Sequence, residues 1–358
     1  MALTQVDQGL LGTYAQYTGF KNRIINGQMV IDQRNAGNVV TPSSGNYALD
    51  RWKVGYSNDG AVSVQQTTTV PNSGFKNSMK FAVTTADTSI AAGQYFQFIQ
   101  AIEGYNVADL NFGSSYASSV TISFWVNSSK TGTYCATLFN NAANRLCPLA
   151  FTVNSASTWE QKTITVAGDT SGTWTTDNSA GLNLAINLAL GSNYNTGTSG
   201  TWNTTQYGTS SQVNWMDTLG ATFYITGVQL EKGSTATSFD YRPYGTELQL
   251  CQRYYETSRG TTATFTQAAT IAYPVFVSDT NRTSGRQFTV AKRSAPTVTI
   301  YSRNNTSGKV STVSSGTDNA GTASVSSISE TGWSNTVIGT ATTAGVGIEV
   351  AYAADSEL

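Results

Sequence analysis

The stretch FYITGVQLEKGSTATSFDYRPYGTE, residues 223–247, decides the fold of this chain. Its first half repeats with a period of two, which predicts a β-strand. The two faces of that strand are Tyr224, Thr226, Val228 and Leu230 on one side and Phe223, Ile225 and Gln229 on the other. The following EKGS has turn chemistry, and we expect a short partner strand after it. Pro243 lacks a ladder N–H, so the sheet is expected to end there.

The residues before this stretch show the same alternation in a regular series. Strands are expected around residues 52–54, 61–64, 78–83, 94–100, 120–126, 134–139, 146–153, 159–166 and 182–190. Short alternating segments separated by turns are typical of antiparallel sheets packed face to face. The chain is therefore predicted to be all-β, with an antiparallel jelly-roll β-sandwich over residues 21–245. Within it, Ile24–Ile25 and Met29–Ile31 are expected to form a short strand pair around Asn26-Gly27.

Two further regions follow the closing strand. Leu248, Cys251 and Tyr255 have helical spacing, which predicts a short helical connector over residues 246–260. This helix is expected either to pack on a trimer axis or to tuck between domains. Alternation returns near residues 271–277, 288–290, 298–300 and 346–352, which predicts a smaller C-terminal β-sandwich domain over residues 261–358.

Composition excludes several classes of function. The sequence contains no histidine, which removes the commonest general base and most zinc sites, and we expect neither a metal nor a cofactor. A net charge of −1 provides no excess of positive charge for binding nucleic acid. Charged residues make up only 11%, against about 25% in ordinary domains. So few charges favour an obligate oligomer that covers part of its own surface.

Cysteine usage and hydropathy indicate the cellular compartment in which the protein folds. Cys135 and Cys147 would lie opposite each other if the NNAAN turn were symmetric about Asn141, a geometry that permits a late disulfide. The reduced state is the favoured alternative in a protein assembled in a cytosol. No segment has a signal-peptide pattern or approaches the ~20 apolar residues of a membrane span. We therefore expect folding in a cytosol, no membrane insertion, and an exit, if there is one, by a route such as lysis.

Residues 1–20 are interpreted as an arm. The segment is short and broken by glycines, yet it is more apolar than a free tail requires. Its apolar residues are Val6, Leu10, Leu11, Tyr14 and Tyr17. A segment ordered only against a partner accounts for this pattern, and a disordered start is the alternative.

Two long loops, residues 169–181 and 191–212, carry the candidate binding residues. They are rich in Gly, Ser, Thr and Asn, and loops of this length are usually functional or packed on a neighbour. Exposed aromatic rings stack on the faces of sugars, so the aromatic residues of these loops form a candidate glycan site: Trp174, Tyr194, Trp202 and Tyr207. Asn183, Asn195 and Asn203 are candidate partners for the sugar hydroxyl groups. The alternative is that the rings pack under their own loops or at an interface.

Carboxylates are scattered singly along the chain. Glycoside hydrolysis requires two of them about 5–10 Å apart, and no paired motif is present. The single carboxylates are Asp50, Glu103, Glu160, Asp169, Asp177, Asp217, Glu231 and Asp240. We expect them to be structural, with Asp50–Arg51 and Asp240–Arg242 in ion pairs, and we expect no enzymatic activity.

Several separated pieces of the sequence resemble one family. FKNRIINGQMVIDQRNAG at residues 20–37 and YALDRW at 47–52 resemble the start of the large domain in bacteriophage tail-fibre and related virion proteins. GVQLEKGSTATSFDYRPYGTELQLCQRYYE at 227–256 is similar to the segment that closes this domain. KRSAPTVTIYS at 292–302 and AYAADSEL at 351–358 resemble the family at the end of the chain.

This resemblance implies a structural virion protein, usually a homotrimer, with its N-terminal arm docked on other virion proteins and its distal parts facing the host. The VQLE-x-G-x-x-A-T pattern at 228–237 is also shared with jelly-roll carbohydrate-binding modules, which adds host-surface glycan as a candidate partner. The expected function is a non-enzymatic tail fibre or fibre-like protein. A capsid-bound head fibre or decoration protein, a carbohydrate-binding module and a polysaccharide depolymerase remain alternatives.

Overall fold

A computed structural model describes residues 20–259, 271–273, 281–282, 285–319, 321–339 and 347–358. This described part is all-β, with one α-helix, α1 (Tyr244–Gln252). The predicted docking residues Val6, Leu10, Leu11, Tyr14 and Tyr17 lie outside the described residues. Within the described part, no helix is both long enough and apolar enough to span a membrane.

The first β unit is a sandwich of two antiparallel sheets. Its strands are β1 (Tyr47–Leu49), β2 (Trp52–Ser57), β3 (Ala61–Thr67), β4 (Ser78–Thr85), β5 (Tyr95–Glu103), β6 (Val120–Ser128), β7 (Gly132–Phe139), β8 (Leu146–Val153), β9 (Glu160–Val166), β10 (Ala180–Leu190) and β11 (Thr222–Lys232). The first sheet has the order β1-β2-β5-β10-β7-β8, and the second has the order β3-β4-β11-β6-β9. Short 3-10 turns lie at Gly104–Asn106, Ala108–Leu110 and Trp215–Asp217.

The core lies between these two sheets and is filled by alternate strand residues. β11 is an exception: its register shift brings Val228 and Leu230 onto the core face with Phe223 and Ile225, so the predicted faces of this strand are wrong beyond Thr226. On β10 the core side chains are Leu182, Leu184, Ile186 and Leu188, as the alternation predicts. Phe98 stacks on Phe81 across the sandwich, with ring centroids 4.7 Å apart. The predicted all-β fold with an antiparallel jelly-roll sandwich is confirmed.

The predicted strand pair around Asn26-Gly27 is wrong: the chain turns here through bonds of Asn26 to Met29 and Ile31, without a strand ladder, and the segment bonds to β11. β4 accompanies only the first part of β11, from Thr222 to Ile225. Beyond that point the segment lies beside β11: Val228 N donates to Gly27 O at 3.0 Å, and Leu230 N donates to Asn22 Oδ1 at 3.0 Å. The side chain of Asn22 replaces a ladder bond, so no regular strand forms.

The short partner strand expected after β11 is also absent from residues 233–243, which the structure describes in full. Carboxylates take over the backbone donors that a ladder would use. Glu231 accepts from Thr237 N at 2.8 Å, and Asp240 accepts from Lys21 N at 2.9 Å and Asn22 N at 3.1 Å. Residues 223–247 therefore close the sandwich, because they bond the beginning of the first unit, at Lys21 and Asn22, to its end.

The second β unit also has two sheets. Its strands are β12 (Tyr255–Thr257), β13 (Ile271–Tyr273), β14 (Asn281–Arg282), β15 (Arg286–Gln287), β16 (Thr297–Tyr301), β17 (Ser311–Thr312), β18 (Ala323–Ser329), β19 (Gly332–Ile338) and β20 (Ile348–Asp355). β12, β13, β16 and β17 pair with β20, whereas β14, β15 and β18 pair with β19. The β18–β19 hairpin lies in a Ser/Thr-rich region whose weak periodicity gave no strand prediction.

The helical connector is shorter than predicted. α1 ends at Gln252, and Tyr255 begins β12, which pairs with β20. Tyr255 has a packing partner in the second unit, where it clusters with Ala351 and Ala353. Cys251 packs with Ile25, Ile31 and Tyr254, so one face of α1 is tucked against the N-terminal segment of the first unit.

Cys135 and Cys147 do not face each other. The β7–β8 register pairs Cys135 with Ala150 and Cys147 with Leu138. The reason is that the hairpin turn is centred between Ala142 and Ala143, and not on Asn141. Cys147 points into the core and Cys135 does not. Both thiols are buried and free, as the reduced alternative requires.

Candidate functional site

The outer face of the first sheet, turned away from the core, carries amide and ring side chains. On β5, Phe96 and Phe98 belong to the core, so Tyr95 and Gln97 lie on the outer face. Asn187 on β10 is the neighbour of Gln97 in register. These residues alternate with core residues in the sequence and were absent from the predicted site.

Residues 191–214 cover part of this outer face. Tyr207 packs on Phe139 with ring centroids 5.5 Å apart. Its backbone oxygen accepts hydrogen bonds from Thr137 Oγ1 at 2.5 Å and Asn187 Nδ2 at 3.2 Å. A further backbone pair joins Asn203 to Leu146, with bonds of 2.7 and 2.8 Å. The loop is therefore fixed on the sheet, and its rings have defined positions.

A pocket of about 170 Å³ lies where this loop meets the ends of β5 and β10. We call it the tyrosine pocket, and its lining residues are Tyr95, Gln97, Leu190, Tyr194 and Tyr207. The Tyr194 ring lies 5.9 Å from that of Tyr95 and 6.1 Å from that of Tyr207, nearly perpendicular to both. Tyr207 N donates to Tyr194 O at 2.9 Å, so the two loop tyrosines are held together by the backbone.

Gln97 lines this pocket and is itself largely buried. The residue is 8% exposed, and its Oε1 is buried without a hydrogen-bond partner among the described residues. Gly55 stands opposite Gln97 on β2 and leaves room for its side chain. A buried acceptor without a donor costs about 1–3 kcal/mol.

A second amide side chain, that of Asn187, lies on the sheet beneath the loop. Asn187 Nδ2 donates to Cys135 O at 3.0 Å and Thr137 Oγ1 at 2.8 Å, which determines the orientation of the amide. Its Oδ1 has no partner among the described residues. Buried polar atoms normally have hydrogen-bond partners. Gln97 Oε1 and Asn187 Oδ1, two acceptors without partners, therefore make the region beneath this loop polar.

The tyrosine pocket is uncharged. Burial raises the pKa of the Tyr207 phenol, and the neighbouring phenols of Tyr95 and Tyr194 raise it further. No lining residue carries a charge in the neutral pH range. The site therefore offers ring faces and neutral hydrogen-bonding groups.

The structure divides the four predicted aromatic residues into two groups. Tyr194 and Tyr207 form the pocket, whereas Trp174 and Trp202 pack on Phe112 elsewhere, with ring centroids 4.9 and 5.7 Å from it. Both indole N–H groups are used internally: Trp174 Nε1 donates to Ser171 O at 3.0 Å, and Trp202 Nε1 donates to Ala167 O at 2.9 Å. A separate cavity of about 210 Å³ adjoins Trp174 and is lined mainly by apolar residues.

The asparagines predicted to accompany these rings are engaged within the protein. Asn183 Nδ2 donates to Phe139 O at 3.4 Å, and Asn195 Nδ2 donates to Leu190 O at 3.3 Å. Asn203 Nδ2 donates to Gln206 O at 3.2 Å. None of the three lines the tyrosine pocket.

Every carboxylate named as a candidate accepts hydrogen bonds from protein donors. Asp169 binds Arg145 through two bonds of 2.6 Å, and Glu103 binds Arg253 Nε at 2.8 Å and Tyr254 OH at 2.7 Å. The others, Asp50, Glu160, Asp177, Asp217, Glu231 and Asp240, also accept hydrogen bonds. The expected ion pairs Asp50–Arg51 and Asp240–Arg242 are wrong, because Arg51 pairs with Glu357 and Arg242 pairs with Glu247. Within the described ranges, no group of three or more acidic or cysteine side chains is arranged to hold a metal ion.

No protein-family model matches this chain, and no curated protein matches it. Solved structures give low similarities. A domain of tailspike protein 4 from bacteriophage CBA120 is 12% identical over 59% of this chain, with a TM-score of 0.33, and the match spans 21% of that structure's length. The family 11 carbohydrate-binding module of Clostridium thermocellum Lic26A-Cel5E is 11% identical over 56% of this chain and 98% of its own, with a TM-score of 0.27.

A third similar structure is the N-terminal cellulose-binding domain of a Cellulomonas fimi β-1,4-glucanase. It is 14% identical over 55% of this chain and all of its own length, with a TM-score of 0.27. These values establish no family for the chain.

Proposed function

We propose that this chain is a non-enzymatic structural component of a phage virion, a tail fibre or fibre-like protein that recognises a host-surface saccharide through the tyrosine pocket. The observation that carries the recognition role is the grouping of Tyr95, Tyr194 and Tyr207 with Gln97 around one uncharged pocket. The virion role is supported by the sequence resemblance at residues 20–37 and 227–256.

The chemistry of the pocket suits a sugar. Small-molecule sites combine apolar and aromatic walls with a few polar groups that fix orientation. The C–H faces of a sugar ring pack on aromatic rings, and its hydroxyl groups form hydrogen bonds with neutral polar groups. Tyrosine also provides a hydroxyl at the wet end of an apolar ring.

Several observations support a binding role without catalysis. No carboxylate lines the tyrosine pocket. Carboxylates elsewhere in the described residues, such as Asp169 and Glu103, are held in ion pairs with arginine. A glycosidase needs one carboxylic acid and one carboxylate that face the substrate.

A microarray of bacterial surface polysaccharides tests the recognition role. We expect wild-type protein to bind at least one polysaccharide, and we expect Tyr194→Ala and Tyr207→Ala to weaken this binding at least tenfold, because each removes a pocket wall. Tyr116→Ala is the matched control, since this tyrosine is 82% exposed and lies outside the pocket. Equal binding by the three variants and the wild type would contradict the assignment.

The virion role has its own test. The N-terminal arm, residues 1–20, is proposed to dock on tail or capsid proteins of the particle, with the chain assembled as a homotrimer. Mass spectrometry of purified particles from the source phage should detect this chain. Particles that lack it would refute the virion role while leaving saccharide binding standing.

A further inference from the structure

The outer face of the second sheet carries a row of aromatic side chains. Trp125 on β6 and Tyr224 on β11 each lie between two core residues, so both side chains lie on the outer face. The register pairs Trp125 with Thr226 and Tyr224 with Asn127, which makes the two rings diagonal neighbours. The Trp159 ring, just before β9, lies 6.1 Å from that of Tyr224. These three rings therefore form one group.

The row continues past Trp125 to the stretch that follows β11. A Cβ at Gly227 would stand 2.7 Å from the Phe75 ring and 3.3 Å from the Trp125 ring, so both rings flank the same point of the sheet. The Phe75 ring also contacts Phe239 and Tyr241, at centroid distances of 5.5 and 5.9 Å. We call this row the aromatic strip, and its residues are Trp159, Tyr224, Trp125, Phe75, Phe239 and Tyr241.

The aromatic strip is open, unlike the outer face of the first sheet, which residues 191–214 partly cover. Tyr241 is 53% exposed, and four other strip residues are half-buried: Trp125, Trp159, Tyr224 and Phe239. A contiguous exposed apolar surface on a soluble protein usually marks an interaction site. The strip therefore requires a partner that covers it.

The size of this sheet suits a protein partner. Its five strands each have seven or more residues. At about 4.8 Å between strands and about 3.3 Å per residue, the face measures roughly 24 by 23 Å, or about 550 Å² in plan. Each partner in a stable interface contributes about 800 Å² of accessible surface, which a face of this size provides with the residues around its rim.

Charge indicates which protein fits the strip. The cross-strand neighbours of Trp125 and Tyr224 are three neutral residues and one cation: Asn127, Thr226, Gln161 and Lys80. Beside Tyr241, the charges of Arg242 and Glu247 pair with each other. Two copies of a strongly charged surface repel each other, whereas two copies of this nearly neutral surface do not. The strip therefore fits a second copy of this chain, in which only 11% of residues are charged.

The edges of this sheet are protected against strand addition. On the edge strand β9, Glu160 and Lys162 pair in register with core residues of β6, so both charged side chains point inward. Inward-pointing charges on an edge strand oppose pairing with a further strand. On the other edge strand, β3, Val64 exchanges backbone hydrogen bonds of 2.7 and 2.9 Å with Val40. Copies of the chain are therefore expected to meet through the face of this sheet.

We infer that the aromatic strip faces the symmetry axis of the homo-oligomer and packs against the strips of the other copies of this chain. This inference rests on the homo-oligomer of the proposed function and adds the surface that holds it together. Residues that face a symmetry axis meet their own counterparts in the other copies. The tyrosine pocket lies on the outer face of the opposite sheet, so this arrangement directs it away from the axis.

Sedimentation equilibrium of the full chain tests the interface. We expect wild type to form an oligomer and Trp159→Glu and Tyr241→Glu each to weaken self-association at least tenfold, because every copy then brings a carboxylate to the same contact. Tyr116→Glu is the matched control, since Tyr116 is 82% exposed and lies outside the strip. Near-UV circular dichroism verifies folding, and a glutamate variant that fails to fold is replaced by serine, which removes the ring without adding a charge.

The outcomes separate this inference from the proposed function. A monomeric wild type would overturn the inference and the homo-oligomer, and would leave saccharide binding by the tyrosine pocket standing. An oligomer that the folded variants at Trp159 and Tyr241 retain would overturn the interface alone. Weaker polysaccharide binding by these variants, with the wild-type oligomer retained, would assign the strip to a saccharide and would likewise overturn the inference.

Discussion

Asp50 lies fully buried beside the N-terminal segment of the first unit. Its two oxygens accept hydrogen bonds from Gln33 N and Gln33 Nε2, each 2.6 Å long. Burial raises the pKa of this carboxyl to about 6, although Arg34 and the Gln33 bonds act in the opposite direction. The sequence marked Asp50 as structural but gave no sign of this burial, because Gln33 reaches it through tertiary folding.

Asp50 predicts a pH-dependent stability. A carboxyl whose folded pKa lies above its unfolded pKa binds an extra proton in the folded state, so its contribution to stability falls as pH rises from about 4 to about 6. The full effect is up to about 3 kcal/mol. Asp50→Asn should therefore show a smaller loss of unfolding free energy between pH 4 and pH 7 than wild type, measured by urea titration.

Asp177→Asn is the control, since Asp177 is exposed and bonded to Ser179 on the surface. This variant should keep the wild-type fall in stability over the same pH range. Superimposable profiles for wild type and Asp50→Asn would show that Asp50 does not titrate in this window.

At the scale of elements, β11 is the strand on which the first unit closes. It pairs with β6 along most of its length, and its register shifts between Thr226 and Gln229. Where β4 no longer accompanies it, the segment around Asn22 and Gly27 takes its place. Alternation in the sequence identified β11, β8 and β10 because their pattern is local. Alternation could not predict the contact of residues 22–27 with β11, because that contact joins residues about 200 positions apart.

Gly27 is required by this contact. A Cβ at Gly27 would stand 2.2 Å from Val228 O, so the backbone of the segment or of β11 would have to move. Gly27→Ala should lower the unfolding free energy by about 1–3 kcal/mol or more, as overpacking does. Thermal unfolding of the purified variant measures this loss.

Gly245→Ala is the matched control for this substitution. Gly245 lies in α1, and a Cβ there meets no atom within 4 Å. Alanine is the better helix former, so this variant should be as stable as wild type or slightly more stable. A Gly27→Ala protein as stable as Gly245→Ala would show that the close approach to Val228 has no energetic importance.

At the scale of the whole molecule, β5 connects the candidate site to the junction between the two β units. Tyr95 at its start lines the tyrosine pocket, and Glu103 at its end binds Arg253, which follows α1. Eight residues of strand separate these positions, roughly 26 Å. The second unit is further anchored by Glu357, which pairs with the buried Arg51. The pocket therefore lies away from the junction, as the proposed recognition of a host surface requires.

The sequence predicted the loop that carries Tyr194 and Tyr207, because long aromatic loops stand out in a β-protein. It grouped Trp174 and Trp202 with them because all four share a composition and a loop setting. Trp174 and Trp202 are separated from the tyrosines because they pack with Phe112 and with each other, 5.5 Å apart. Tyr95 and Gln97 were missed because a strand about 100 residues upstream brings them to the loop.

The most direct measurement is a crystal structure of the protein with a saccharide selected by the polysaccharide array. The account predicts a saccharide bound in the tyrosine pocket, in contact with Tyr95, Tyr194 and Tyr207. A saccharide bound beside Trp174 and Trp202, or anywhere else with the tyrosine pocket unoccupied, would contradict it.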